Sequence, residues 1–183
     1  RSSKTRKPWA KASWGKIYGQ WLLGSAVFVY EFERFVPEDI LRVLQAYPIT
    51  SFCAPPTIFR FLIKEDLGAW DLSSLNYVVT AGEPLNPEVF NQFREATGLR
   101  MMEGFGQTET VVTVATWPWV EPRPGSMGVP SPGWGIDLLD DEGESCGVGE
   151  NGQIVVRTGD APPVGMFQGY HADEDLTSSV WHD

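Results

Sequence analysis

The stretch "LNYVVTAGEPLNPEVFNQFREATGLRMMEGFGQTETVV", residues Leu75–Val112, predicts the fold. It begins with an apolar run that is typical of a buried strand, and it continues with the end signals of a helix. Asn86 stands at the cap position, Pro87 lies in the first turn and Gly98 follows the last turn. "LRMMEGFG" is then a further strand. A strand, a helix and a strand in this short span predict parallel neighbours in one sheet.

The same alternation precedes this stretch. "SAVFVY", residues 25–30, is predicted to be a strand, and "VPEDILRVLQAYPI" is a helix with Pro37 near its start. "TSFCAPP" is a strand, and "TIFRFLIKEDL" is a helix that Thr57 caps. The pattern predicts an α/β fold with a parallel sheet flanked by helices. Such sheets place ligands at the carboxyl ends of their strands, where residues 82–84 and 104–109 fall.

The amino-acid composition of the sequence changes after Val120. "EPRPGSMGVPSPGWG" is rich in Pro and Gly, and "GIDLLDDEGES" and "NGQIVVRTG" have the pattern of short strands joined by polar turns. We expect this part to form a portion of a small, distorted antiparallel β-barrel. The predicted division is an α/β subdomain over residues 1–118 and a partial barrel over 119–183, with residues 1–8 as a solvated tail or a cloning remnant.

Composition and charge exclude several classes of protein. The 183 residues are 42% hydrophobic and carry a formal charge of −10, which argues against a nucleic-acid partner because such partners are held by clustered Lys and Arg. Cys53 and Cys146 form neither a metal-ligand spacing nor a disulfide framework. No apolar run has the length of a membrane span, and the basic start of the chain lacks the apolar core of a signal peptide. We therefore expect a cytoplasmic protein.

Three other motifs are weaker than they look. "GFGQTE" lacks the third glycine of a dinucleotide-binding G-x-G-x-x-G, because Glu109 stands in its place. The acidic "DLLDDEGES" lacks the alternating oxygen ligands of a calcium loop and is interpreted as a solvated hairpin turn. His171 and His182 are isolated and support neither a metal site nor a catalytic triad.

Taken alone, "GQTET" could be a turn with a threonine cap. However, the succession "TAGEPL", "EGFGQTETVV", "GSMGVPSPGWGIDLLDDEG", "GENGQIVVR" and "GMFQGYHADEDLT" resembles, in order and spacing, the adenylate-forming superfamily. That superfamily includes acyl-CoA synthetases, firefly luciferase and the adenylation domains of peptide synthetases. The resemblance runs from about Trp9 to the end of the chain, and it is strongest to medium-chain acyl-CoA synthetases.

The resemblance implies an acid–thiol ligase of fatty acid metabolism that uses ATP, Mg²⁺ and coenzyme A. Gly82, Glu83 and Pro84 would form a ledge along one face of adenine, and Phe105 would cover the other face. Thr108 would donate to a phosphate oxygen, and Glu109 would hold Mg²⁺; these two are the predicted catalytic residues. Glu103 would either contact the nucleotide or fix its own loop, and Glu83 would serve through its side chain or through its backbone alone. The predicted nucleotide-binding residues are Gly82, Glu83, Pro84, Glu103, Gly104, Phe105, Gly106, Gln107 and Thr108.

The resemblance also implies a pocket for the acid. Trp9 would border this pocket, although "RSSKTRKP" before it departs from the family's acidic-Thr-Gly lead-in. Gly106 stands where acetate-specific relatives carry a tryptophan, as in "TWWQTE", so a medium-chain or aryl acid is expected. Alternatively, Gly106 serves only a backbone conformation with positive φ.

The family also has elements that this chain does not carry. These are a phosphate loop upstream, a ribose-binding aspartate, which Thr158-Gly159-Asp160 matches in letters but not in position, and a C-terminal domain with a catalytic lysine. We therefore expect an internal fragment of the large domain that is inactive alone. Two alternatives remain: adenylation of an amino or aryl acid for a carrier protein, and a non-catalytic nucleotide-binding module.

Overall fold

Five strands form the main sheet in the order β1-β2-β3-β4-β5 in a computed structural model, which describes residues 11–159 and 161–181. The strands are β1 Ser51–Ala54, β2 Tyr77–Ala81, β3 Met101–Phe105, β4 Val114–Ala115 and β5 Val129–Pro130. The first three are parallel, and β4 and β5 continue the sheet in antiparallel pairing. The predicted α/β class is therefore confirmed.

Helices connect the parallel strands, as the alternation predicts. A π-helical segment Lys11–Tyr18 runs into α1 Gly19–Leu22, and it is followed by α2 Pro37–Ala46, α3 Pro56–Leu62, a 3-10 turn Leu67–Ala69, α4 Pro87–Thr97 and α5 Glu174–Ser178. The predicted ends of α4 are confirmed. The side chain of Asn86 accepts a hydrogen bond from the backbone N–H of Glu88, and Gly98 ends the helix with a φ of 69°.

The core lies between one face of the sheet and helices α2, α3 and α4. Phe52, Val78 and Met101 are partners in the strand register, so their side chains point to the same face. Phe59 of α3 is completely buried there, and its ring meets that of Phe93 of α4 edge to face at 5.3 Å. This packing fixes the strand ends and the turns that follow them.

Two local predictions are wrong. Residues 25–30 form no strand in the described chain; Phe28 packs on Tyr47 at 4.9 Å, while Val29 is 83% exposed. Thr57 is not a helix cap, because α3 begins at Pro56 and Pro55 holds the cap position. β-branched residues favour a strand, and a hydroxyl near a helix start favours a cap. In both cases tertiary contacts determine the conformation that forms.

The second part of the chain contains the antiparallel pair β6 Gly135–Leu139 and β7 Gln153–Arg157. The acidic turn after β6 is a tight polar turn, as predicted, in which Asp140 accepts hydrogen bonds from the backbone N–H groups of Glu142 and Glu144. A closed barrel is not formed within the described residues. β5 lies after the expected boundary at 118/119 and pairs with β4, and that boundary remains a prediction. No helix in the described ranges is long and apolar enough to cross a membrane.

Candidate functional site

The carboxyl ends of β2 and β3 bring the two predicted loops together. Ala81 and Gly104 are register partners in the parallel pair, and β3 ends one residue later at Phe105, so the loops that begin at Gly82 and Gly106 leave neighbouring strands at the same end of the sheet. Neighbouring strands of a sheet lie about 4.8 Å apart, so the first residues of the two loops lie side by side. The topology thus joins residues 82–84 with residues 104–109.

The first loop is shaped by Gly82. Its φ of 97° lies in the left-handed region, which glycine adopts without the clash of a Cβ atom. Gly82, Glu83 and Pro84 are exposed, whereas Leu85 is buried and closes the loop onto the core. The loop therefore presents an open surface on a fixed base.

Glu103 fixes this base. Its side chain is 8% exposed, and its Oε1 accepts a hydrogen bond of 3.2 Å from the backbone N–H of Leu85. Burial raises the pKa of the Glu103 carboxyl, and the hydrogen bond from Leu85 opposes part of that rise. Of the two expected roles, this contact supports the one in which Glu103 fixes the loop.

The second loop contains a turn over residues 107–110. The backbone N–H of Gln107 donates to Oγ1 of Thr110, and the N–H of Thr110 donates to the carbonyl of Gln107. The backbone N–H groups of Thr108 and Glu109 have no acceptor among the described residues. Free consecutive N–H groups in a turn form a typical anion-binding concavity.

The two predicted catalytic side chains differ in their surroundings. Thr108 is exposed, and its hydroxyl has no hydrogen-bond partner in the described part of the chain. Glu109 is half-buried, and its Oε1 accepts a hydrogen bond of 2.9 Å from the hydroxyl of Tyr170. The carbonyl of Glu109 also accepts from the N–H of Phe167 at 2.7 Å. Glu109 is therefore held by the "GMFQGY" segment.

The hydrogen bond to Glu109 raises the pKa of Tyr170, as do burial and the negative charge of Glu109. The sequence alone predicts no role in this site for Tyr170, Phe167 or Thr57. The one signal for Tyr170 was its position in a motif that matches the superfamily.

Gly106 has a steric reason to be glycine. A Cβ atom added there would lie 1.7 Å from the carbonyl oxygen of Val111, a distance that the backbone must move to avoid. Its φ is not in the left-handed region, so the expectation of positive φ is wrong for this residue. Val111 itself has a φ of 59°, which is strained for a β-branched residue.

Other predicted positions lie elsewhere. Trp9, Asp160 and His182 lie outside the described residues, and their roles stay predictions. His171 is exposed, close in sequence to Tyr170.

The surroundings of Glu109 fit a magnesium ion held mainly by a ligand's phosphates. One carboxylate oxygen is engaged by Tyr170, and Oε2 has no partner among the residues that the structure describes. No group of three or more His, Cys, Asp or Glu side chains suited to a metal occurs in this same part of the chain. Mg²⁺ commonly binds one or two carboxylates and completes its shell with phosphates and water.

This α/β fold, with two polar loops at the carboxyl ends of its parallel strands, matches solved structures of adenylate-forming enzymes. The structure of the anthranilate CoA ligase AuaEII in complex with anthranoyl-AMP matches 93% of this chain and 32% of its own, with a TM-score of 0.83 and 26% identity. An acyl-CoA synthetase from Brucella canis matches 90% of this chain and 31% of its own, with a TM-score of 0.77 and 30% identity.

Residues 9–171 match the family described as AMP-binding enzyme, and the chain belongs to this family. The mouse mitochondrial acyl-coenzyme A synthetase ACSM3 is 39% identical over 172 residues, which are 94% of this chain and 30% of that protein. The chain thus spans about a third of the length of the relatives that it matches. Because the mouse relative is mitochondrial, the expectation of a cytoplasmic location is contradicted.

Proposed function

We propose that the parent protein is an AMP-forming acyl-CoA synthetase that joins a carboxylic acid to coenzyme A with ATP. The observation that carries the proposal is the meeting of residues 82–84 and 104–109 at one sheet edge, in a member of the AMP-binding enzyme family. The 39% identity to an acyl-coenzyme A synthetase supports the thiol acceptor.

The first loop and Phe105 would hold the adenine. Gly82, Glu83 and Pro84 are exposed and would form the ledge on one side, and Phe105, the last residue of β3, would cover the other side. Because Gly82 has no side chain, an aromatic ring can approach its backbone closely. Glu103 acts from below by holding Leu85.

The second loop would hold the phosphates. The free N–H groups of Thr108 and Glu109 and the free hydroxyl of Thr108 are donors for phosphate oxygens. Glu109 would bind Mg²⁺ through Oε2, which Tyr170 leaves available. When bound, Mg²⁺ neutralises the negative charge of the phosphates.

In the proposed reaction, a carboxylate oxygen of the acid attacks the α-phosphorus of ATP, and the bond to pyrophosphate breaks. The thiol of coenzyme A then attacks the acyl carbon and displaces AMP. The residues of this chain orient the nucleotide and stabilise the charge that moves toward pyrophosphate. A phosphate loop and a lysine-bearing domain would come from the rest of the parent.

A medium-chain or aryl acid is the proposed substrate. The carbonyl of Val111 occupies the space of a side chain at Gly106, so the proposed acid size rests on the comparison with acetate-specific relatives, which have tryptophan at this position. The match to AuaEII, whose structure contains anthranoyl-AMP, supports an aryl acid within this range. Gly106→Trp is a poor test of pocket size, because any Cβ there meets the carbonyl of Val111.

The proposal is tested in the full-length parent by pyrophosphate release. Thr108→Ala and Glu109→Gln should each lower kcat about 10²-fold or more, with a smaller change in KM for the acid, because the lost contacts act on developing charge. Thr50→Ala and Glu95→Gln are matched controls. Thr50 lies at the amino-terminal ends of the parallel strands, away from the site, and Glu95 is exposed on α4.

Wild-type kinetics in Thr108→Ala or Glu109→Gln would reduce "GQTET" to an ordinary turn. The acids to compare are acetate, butyrate, octanoate and benzoate, of which octanoate or benzoate should have the highest kcat/KM. A preference for acetate would refute the proposed pocket. Nucleotide binding without turnover of any acid would favour the non-catalytic module.

A further inference from the structure

The exposed loop over residues 82–85 is tied to the fold at two points by different elements. From one side, the hydroxyl of Thr57 donates a hydrogen bond of 2.6 Å to Oε2 of Glu83. From the other side, Glu103 of β3 accepts the hydrogen bond from the N–H of Leu85. The second contact fixes the base of the loop, and the first reaches the exposed part that would meet a nucleotide.

Thr57 lies at the same carboxyl end of the parallel strands, between buried residues of α3. It follows the carboxyl end of β1, whose last residue, Ala54, is the register partner of Thr80 in β2. Pro56, beside it, is fully buried, and so is Phe59 one turn further along α3. A contact from Thr57 therefore ties the loop to the packed core.

The hydroxyl of Thr57 has no role in the helix itself. α3 has no side-chain hydrogen bond at its cap, and the bond from Thr57 goes to Glu83, 26 residues away. A hydrogen bond to a carboxylate is stronger than one between neutral groups. Threonine at this position thus serves the loop, in place of the capping role that its sequence position suggests.

We infer that Thr57 is a positioning residue for adenine nucleotide binding, which acts by holding Glu83 and so keeping the ledge in one conformation. This inference rests on the proposed function. Gly82 and Pro84 are exposed, and Gly82 has the conformational freedom of glycine, so an untied loop would have to be ordered when the nucleotide binds. Holding a loop in its bound conformation removes that cost in advance. Thr57 itself does not touch the nucleotide.

The test is AMP binding to the full-length parent by calorimetry, with melting temperatures measured in parallel. Thr57→Val keeps the shape of the side chain and removes the donor, and it should weaken AMP binding about three- to tenfold. Thr57→Ser retains the hydroxyl and should restore most of the affinity. Thr97→Val is the control for loss of a threonine hydroxyl away from the site, because Thr97 donates a bond of 2.7 Å to the carbonyl of Phe93 and accepts one from the N–H of Leu99 at the far end of α4.

A purely structural role predicts a different result. In that case Thr57→Val, like Thr97→Val, would lower the melting temperature and leave the dissociation constant for AMP unchanged, which would overturn the inference. A double-mutant cycle adds a second criterion. Glu83→Ala should weaken binding as Thr57→Val does, and the double variant should be no weaker than the worse single variant, because both remove the same bond.

Additive effects of Thr57→Val and Glu83→Ala would also overturn the inference while the proposed function stands. If Thr57→Val does not fold, the exposed Glu83→Ala still reports on the tie, and wild-type AMP affinity in that variant would refute it. Failure of the wild-type parent to bind AMP would instead refute the proposed function, and this inference with it.

Discussion

Tyr170→Phe is the sharpest test of how the Glu109 loop is held. The substitution removes the hydroxyl that donates to Oε1 of Glu109 and keeps the ring, which packs against Phe167 at a centroid distance of 5.1 Å. The second contact of this segment, from the N–H of Phe167 to the carbonyl of Glu109, is unaffected. The variant should therefore keep the loop in place and loosen only the carboxylate.

The expected magnitude follows from the surroundings of the bond. A hydrogen bond to a charged group contributes about 1.5–3 kcal/mol when it is well buried. Glu109 and Tyr170 are both half-buried, so water can replace part of the lost interaction, and about 1 kcal/mol is a reasonable net value. Since about 1.36 kcal/mol corresponds to a factor of ten in rate, kcat/KM should fall about fivefold. Loss of the Glu109 carboxylate itself should cost at least about 10²-fold.

The assay is pyrophosphate release by the full-length parent at a series of Mg²⁺ concentrations. The variant should need more Mg²⁺ for half-maximal rate, because its carboxylate is less ordered before the ion binds. Tyr77→Phe is the control, since Tyr77 is 43% exposed and its hydroxyl has no partner among the described residues. Kinetics of Tyr170→Phe equal to those of the control would refute the reasoning. A loss above a hundredfold would refute it too, because Tyr170 would then act in the reaction directly.

Three further predictions concern stability, measured by thermal or urea unfolding. Burial raises the pKa of the Glu103 carboxyl in the folded protein, so the wild type loses stability as pH rises and this carboxyl ionises. The free energy of unfolding of Glu103→Gln should therefore increase relative to that of the wild type between about pH 4 and pH 7. A difference that stays constant over this range would contradict the expectation. Gly106→Ala should destabilise by about 1–3 kcal/mol, whereas Gly104→Ala, whose Cβ would lie 3.8 Å from Val112, should cost less. Asn86→Ala should cost about 1 kcal/mol of cap energy, and an unchanged midpoint would refute that role.

The helices and strands whose start and end signals lie within their own sequence were predictable. For α4, the cap at Asn86, the proline in the first turn and the left-handed Gly98 are all satisfied within the helix and its ends, so no distant contact is needed to specify it. The parallel pairing of β1, β2 and β3 followed from the helix that connects each strand to the next. The carboxyl-end position of both loops followed from that order.

The failures share a physical cause, which is dependence on distant residues. The run over residues 25–30 has strand composition, but a strand needs a partner, and none pairs with it in the described chain. Thr57 has the chemistry of a helix cap, but α3 already begins at Pro56, and the Thr57 hydroxyl donates its hydrogen bond to Glu83. For Gly106 the chain itself supplies the reason, since the carbonyl of Val111 occupies the space of a side chain.

The same distinction separates two kinds of residue in the proposed site. Residues that would contact the ligand are adjacent in sequence, as in "GQTE", and their unusual composition makes them visible as a motif. The residues that hold them are Thr57 and Tyr170, which lie 26 and 61 positions from their partners and have no functional signal of their own in the sequence. Each holding contact is one hydrogen bond in a partly exposed setting, so its removal should cause several-fold losses, against at least about 10²-fold for the ligand contacts. Kinetics of single variants should therefore divide the site into these two groups, and a variant of Thr57 or Tyr170 with the larger loss would belong among the residues that touch the ligand.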